Sequence, residues 1–189
     1  MYFSNPLNRS GGYAEFCVVD SKIVAKKPSF LSHIEAASLP VSGLTAIQSL
    51  RNFGGLRSGH KVLIHAGAGG VGSFAIQYAK LKGAIVFTTA SGTKSDYVRS
   101  LGADRVIDYK TENFIDVCKS AGGMDIVLES IGGENFPKSI LATRDGGAVP
   151  CIGKFRVIFF DIQNSALSSS RGRICSYFVN PEIAPLRSR

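Results

Sequence analysis

Val62-Leu63-Ile64-His65-Ala66-Gly67-Ala68-Gly69-Gly70-Val71-Gly72-Ser73 decides how this chain is read. An apolar run passes straight into a glycine-rich turn, and a helical pattern follows at once. Gly67, Gly69 and Gly72 match G-x-G-x-x-G. In a chain with 21 glycines that spacing alone carries little weight. Here it has a strand before it and a helix after it, the context that the chemistry requires. The first glycine permits a tight turn, the second lets the backbone approach a pyrophosphate, and the third lets the helix pack closely on the strand. The N–H groups at the start of the helix then face negative charge, which the helix dipole favours.

Outward from this turn the pattern alternates. Lys61–Ala66 reads as a strand and Ser73–Lys82 as a helix with Val71, Ala75, Tyr78 and Ala79 on one face. Gly83 stops it. Ala84–Thr89 is a second strand, whose Ile85-Val86-Phe87 run predicts cover on both faces. Ser95–Leu101, Thr111–Ser120 and Glu134–Ala142 read as helices. Arg105–Asp108, Met124–Glu129 and Gly147–Ile152 read as strands. Strands separated by helices of this length imply right-handed crossovers and an α/β fold with a doubly wound parallel sheet, of Rossmann type.

The flanks depart from that alternation. Gly12–Val19 and Ile23–Ala25 read as two strands joined by Asp20-Ser21. Ser32–Ala37 and Gly43–Phe53 read as two helices. Beyond Gly153, Phe155–Ile162 and Ile174–Val179 have strand-like patterns, and Pro181 and Pro185 precede a basic end.

Composition bounds the function. The chain has 189 residues, 44% hydrophobic and 19% charged, as soluble globular domains do. Its formal charge of +8 comes from scattered Lys and Arg; no basic run supports nucleic-acid binding, and the charge suits an anionic cofactor. Cys17, Cys118, Cys151 and Cys175 show no metal-type or C-x-x-C spacing, so free thiols in a reducing cytosol are expected. No run is long and apolar enough for a membrane span, and nothing reads as a signal peptide. A cytoplasmic location follows as the expectation.

Four segments carry a resemblance: Gly12-Tyr13-Ala14-Glu15-Phe16, then Glu35-Ala36-Ala37-Ser38-Leu39-Pro40, then Gly43-Leu44-Thr45-Ala46, then the turn from Gly67 to Gly72. In this order and spacing the chain resembles the medium-chain dehydrogenase/reductase superfamily, and within it the zinc-free quinone oxidoreductase branch. The similarity covers Gly11 to Gly153. Members of that branch use NADPH to reduce quinones, enones or enoyl thioesters by hydride transfer. They carry a GroES-like catalytic domain before and after the nucleotide-binding domain. The resemblance therefore implies a GroES-like remnant and linker over residues 1–40, a Rossmann NADP-binding domain over 41–153, and an irregular or truncated segment over 154–189. The zinc alcohol dehydrogenases have a cysteine ligand where this chain has Val41, and valine ligates no metal. His33, His60 and His65 are isolated, so no metal site is expected; His65 reads as a satisfied structural histidine beside the turn.

The choice of cofactor can be argued from the residues. An NAD site places Asp or Glu about twenty residues past the glycine turn, at the end of the second strand. This chain has Thr88-Thr89-Ala90-Ser91-Gly92 there, and Asp96 is the first acid after Gly72. With Lys94 nearby, that favours NADPH. The resemblance assigns Lys94 and Tyr109 to the 2′-phosphate; Ser91 adds a hydroxyl donor. It also places Thr45 against the nicotinamide and sets Ser130-Ile131-Gly132 and Cys151-Ile152-Gly153 beside the ribose and nicotinamide. Ordinary turn chemistry satisfies those glycines equally well, and Asp125 and Glu129 read as structural. The cofactor-binding set is thus Thr45, Ala68, Gly69, Gly70, Val71, Ser91, Lys94, Tyr109 and Ile131. No residue is named as catalytic. Three functions remain open: an NADPH-dependent reductase of a small-molecule quinone or enone, an NADPH-binding module without turnover, and a fragment that folds poorly. The apolar run Phe155–Phe160, if uncovered, favours homo-oligomers or aggregation.

Overall fold

The computed structural model describes residues 14–153 and the backbone of Arg173–Ser176. The order along the chain is α1 (His33–Ile47), a π-helical turn (Gln48–Phe53), β1 (Lys61–Ile64), α2 (Gly70–Leu81), β2 (Ile85–Ala90), α3 (Ser95–Ser100), β3 (Arg105–Asp108), α4 (Phe114–Ser120), β4 (Met124–Leu128), α5 (Asn135–Ala142), β5 (Thr143–Cys151) and β6 (Arg173–Ser176). The strands form one parallel sheet in the order β3-β2-β1-β4-β5-β6. That order is the Rossmann arrangement, with the topological switch between β1 and β4.

Two cores explain why this sheet is stable. Strand side chains alternate between faces. Val62, Ile64, Val86, Ile126 and Leu128 pack with Ala46, Leu50, Ala75, Ile76, Ala79 and Val98 of the π-helical turn and of α1, α2 and α3 on one face. Leu63, Ile107 and Val127 pack with Phe114, Cys118 and Ala142 of α4 and α5 on the other. The face proposed for α2 is the observed one, since Ala75 and Ala79 are buried and Val71 and Tyr78 pack against the same core. In β2 the apolar run is covered from Val86 onward; Ile85, at the strand start, remains 42% exposed.

Several expectations need correction. Residues 14–25 form no strand; Ser21–Ile23 is a 3-10 turn and Ala25 a single bridge residue. Phe16 and Val18 are 89% and 94% exposed, so no neighbouring surface rewards extended pairing. The two helices expected around Pro40 are one. α1 starts at a capping box, in which the Ser32 hydroxyl accepts the Glu35 N–H and the Glu35 carboxylate accepts the Ser32 N–H. It then runs through the buried Pro40. Packing along α2 offsets the missing hydrogen bond. α4 begins at Phe114 rather than Thr111, because Asn113 caps it through the Ile115 N–H. β5 starts at Thr143, earlier than expected, and carries a bulge. Two steps along β4, Met124 to Ile126, match five along β5, Thr143 to Ala148. Gly146 supplies the left-handed conformation (φ 76°) that the extra residues need. β6 falls in the 154–189 stretch, inside the Ile174–Val179 pattern and one residue before it; the Phe155–Ile162 pattern lies outside the described residues.

Asp125 ties the sheet together at the start of β4. Its carboxylate accepts the Lys61 N–H of β1 at 2.7 Å and the Arg144 guanidinium of β5 at 2.6 Å. Burial pushes this carboxyl up, but those hydrogen bonds and the positive charge outweigh it and hold it below its ordinary 3.8. A lowered carboxylate adds stability above its unfolded pKa and loses it as pH falls through the folded one. Asp125→Asn is therefore expected to destabilise the chain by about 1–3 kcal/mol at neutral pH. In urea melts that difference should shrink as the pH is taken below 3.8.

Candidate functional site

The glycine turn is built as its spacing requires, and the three glycines differ in the room around them. A Cβ on Gly67 would lie 2.0 Å from the Thr88 Oγ1 of β2, and one on Gly72 would lie 2.3 Å from the Ala66 carbonyl oxygen. Neither position has room for a side chain. A Cβ on Gly69 would meet only the Ala66 oxygen, at 3.3 Å. Gly69 is thus open to an approaching ligand, as the second glycine of the motif should be. It is the N-cap of α2, and no side chain caps that end. Ala66 enters the turn in the left-handed region (φ 52°), its N–H held by Thr89 Oγ1 at 3.1 Å.

The other expected residues lie around this turn at the carboxyl ends of the strands. Ala68 is half-buried, Gly69 and Gly70 are exposed, and Val71, half-buried, is the second residue of α2. α1 lies against them: the Ser42 hydroxyl is 2.8 Å from where a Gly70 Cβ would be. Thr45, half-buried, is one turn further on the same face of α1. Ser91 follows β2 and shares a hydrogen bond with Thr93 at 3.1 Å. Lys94 is exposed and forms no ion pair with any described residue. Tyr109, 59% exposed, follows β3, the neighbour of β2. Ile131, 53% exposed, stands apart from these at the end of β4, beyond β1. The turn holding it touches the end of β5, since a Gly153 Cβ would lie 2.8 Å from the Gly132 nitrogen.

The reading of the ribose end needs one correction. No acid closes β2, but Asp108 at the end of β3 pairs in register with Ala90. Its Oδ2 lies 2.8 Å from a Cβ built on Gly92. A carboxylate therefore does stand beside Gly92, two residues before Lys94, supplied by the adjacent strand. A rule that inspects only the end of β2 passes over it; the register of two parallel strands would have exposed it.

Buried polar groups complete the site. His65 is 1% exposed, with Nδ1 3.1 Å from Thr89 Oγ1 and Nε2 3.1 Å from Ser139 Oγ, and it meets Phe114 edge to face at 4.7 Å. Burial pushes its imidazole below the ordinary range against the pull of Glu129, so the ring is neutral at pH 7. Cys118 is buried and its thiol is pushed up to about 12; burial also raises Cys151. These thiols do not serve as nucleophiles near neutral pH. Among the described residues no group of three or more His, Cys, Asp and Glu side chains is placed to hold a metal. Val41 points to solvent, 62% exposed.

The model of the zinc-binding dehydrogenase family matches residues 70–180. The chain belongs to that family. More broadly the chain belongs to the medium-chain dehydrogenase/reductase superfamily and, within that, to its zinc-free, quinone oxidoreductase-like branch. It is 42% identical over 156 residues to the spectinabilin polyketide synthase system protein NorB of Streptomyces orinoci, covering 79% of this chain and 7% of that one. It is 48% identical over 106 residues to the chloroplast envelope quinone oxidoreductase homolog of Arabidopsis thaliana, covering 53% of this chain and 32% of that one. The structure of the quinone oxidoreductase from Coxiella burnetii superposes with a TM-score of 0.74 at 34% identity, covering 86% of this chain and 50% of that one. This member of the family thus spans half or less of each of these relatives.

The three glycines should separate in experiment. Gly67→Ala and Gly72→Ala are expected to destabilise the chain by about 2–3 kcal/mol through overpacking. Gly69→Ala should cost less, within about 1 kcal/mol of the parent, because its methyl meets a single atom, the Ala66 oxygen, at 3.3 Å. Thermal unfolding of the three variants checks this ordering.

Proposed function

We propose that the chain binds NADPH across the carboxyl ends of its strands and belongs to an oxidoreductase that reduces a quinone or enone. One observation carries the reading: an uncapped helix start with an open Gly69 lies at the β1/β4 switch of a Rossmann sheet. The residues fit such a ligand. Ala68 to Val71 would receive the pyrophosphate on backbone N–H groups. Ser91, Lys94 and Tyr109 would take the adenosine ribose and its 2′-phosphate, and Thr45 and Ile131 the nicotinamide half. When bound, the nicotinamide supplies the hydride; the protein contributes position and electrostatics. The quinone oxidoreductase names among the relatives support the substrate class.

The rest of the proposal follows from the same reading. Residues 41–153 are the nucleotide-binding unit, flanked by a remnant of a catalytic β domain over residues 1–40. The working location is the cytoplasm, and no helix among the described residues is long and apolar enough to cross a membrane. Asp108 favours a free 2′-hydroxyl and Lys94 a 2′-phosphate. Lys94 has the longer side chain of the two, is exposed and has no carboxylate partner among the described residues, which supports NADPH over NADH.

Calorimetric titration of NADPH and NADH into the full chain tests the assignment. NADPH should bind more tightly. Lys94→Ala should weaken NADPH by about tenfold and leave NADH within about twofold. Equal affinities that ignore the substitution would refute the NADPH assignment. Oxidation of NADPH by an added quinone then distinguishes a reductase from a binding module: binding without turnover selects the module.

A further inference from the structure

Glu129 is the one fully buried acidic side chain among the described residues. It closes β4, is 0% exposed, and has no Lys or Arg partner among the described residues. A buried carboxylate is costly unless hydrogen bonds replace its water. Here they do. Oε1 accepts the N–H of Ile131 at 2.7 Å and of Gly132 at 2.9 Å. Oε2 accepts the Asn135 amide at 2.7 Å and the Ser139 hydroxyl at 2.5 Å, both from α5. Two of its donors are thus consecutive backbone amides of the turn that follows β4.

The bonds continue in one direction. Ser139 gives its proton to Glu129, so its oxygen accepts from Nε2–H of the neutral His65. Nδ1 is left to accept the Thr89 hydroxyl, and the Thr89 oxygen accepts the N–H of Ala66. The His65 ring and the Thr89 hydroxyl each have one donor role and one acceptor role, the Ser139 hydroxyl also faces the Asn135 carbonyl at 3.1 Å, and the chain ends beneath the glycine turn. A cross-tie closes the loop: the Ser130 hydroxyl donates to the His65 carbonyl at 3.1 Å. The Ser130–Gly132 turn is therefore held from below by Glu129 and from the side by β1, with Gly153 packed against its backbone.

The topology says which part of a ligand this turn meets. A dinucleotide straddles the switch between β1 and β4, with one mononucleotide half over β1–β3 and the other over β4–β6. Lys94 and Tyr109 lie in the first half, and the turn held by Glu129 lies in the second.

We infer that Glu129 is a positioning residue that sets the Ser130–Gly132 turn for the nicotinamide half of the dinucleotide, with Ser139 and His65 orienting its carboxylate from behind. This rests on the proposed NADPH reading. Glu129 itself touches no ligand; it acts through the Ile131 and Gly132 amides. A glutamine at this position would turn one donor toward a site where all four partners donate, misdirecting the turn.

The test uses the full chain and two probes in calorimetry, NADPH and adenosine 2′,5′-bisphosphate, which lacks the nicotinamide half. Glu129→Gln is expected to weaken NADPH by about tenfold while the bisphosphate stays within about twofold. Amide hydrogen exchange of the ligand-free protein should quicken at Ile131 and Gly132. Ser139→Ala and Asn135→Ala each remove one donor and should show the same selective loss, smaller in size. They decide the matter if Glu129→Gln does not fold. A merely structural Glu129 would weaken both probes in parallel or neither, and that result overturns the inference while leaving NADPH binding intact. A parent chain that binds neither probe overturns the NADPH reading itself, and this inference with it.

Discussion

The close contact between one strand and the helix that follows it governs this structure. α2 approaches the end of β1 so tightly that Gly72 has no space for a methyl group, and β2 closes off Gly67 in the same way through Thr88. That approach aims the start of α2 at the switch between β1 and β4 and seats Ala75, Ile76 and Ala79 on the sheet. It also brings Thr88 and Thr89 of β2 under the turn, where their hydroxyls take up the Ile64 carbonyl and the Ala66 N–H. Without it the core would lose a layer and the ligand face would lose its centre.

A second constraint acts at depth. The polar groups beneath the strand ends are shut away from water, and each is answered by another. His65, Thr89, Ser139 and Glu129 are all 2% exposed or less, and together they span β1, β2, β4 and α5. A network that is fully satisfied in a low-dielectric interior fixes geometry more sharply than apolar packing does. The surface turns after β1 and β4 inherit that rigidity from below.

Much of this was legible in the sequence, and the gaps have physical reasons. The glycine turn, the alternation after it and the inward face of α2 follow from spacing and periodicity, which are local properties. The fusion of α1 across Pro40 was not legible, because a proline marks a break unless tertiary packing outweighs it, and packing against α2 is a long-range fact. The expected strands before Ala25 failed for the opposite reason: their pattern was suitable, but Phe16 and Val18 had no surface to cover. Asp108 was not legible as a neighbour of Gly92 because it reaches the end of β2 from the adjacent strand. Glu129 reads from the sequence as structural, which is true of its burial and incomplete as to its partners. No spacing rule reveals that Ile131 and Gly132 would donate to it.

The bulge in β5 has its own consequence. Arg144, Asp145 and Gly146 are exposed where the strand steps out of register, and pairing resumes at Ala148. The sheet has already absorbed a change of length there, at the amino-terminal edge and far from the ligand crevice. Extra residues or a spectroscopic label spliced between Asp145 and Gly146 would extend the existing excursion without sliding any strand past its neighbour. The molecule thus offers a handle on the side opposite the carboxyl ends of its strands.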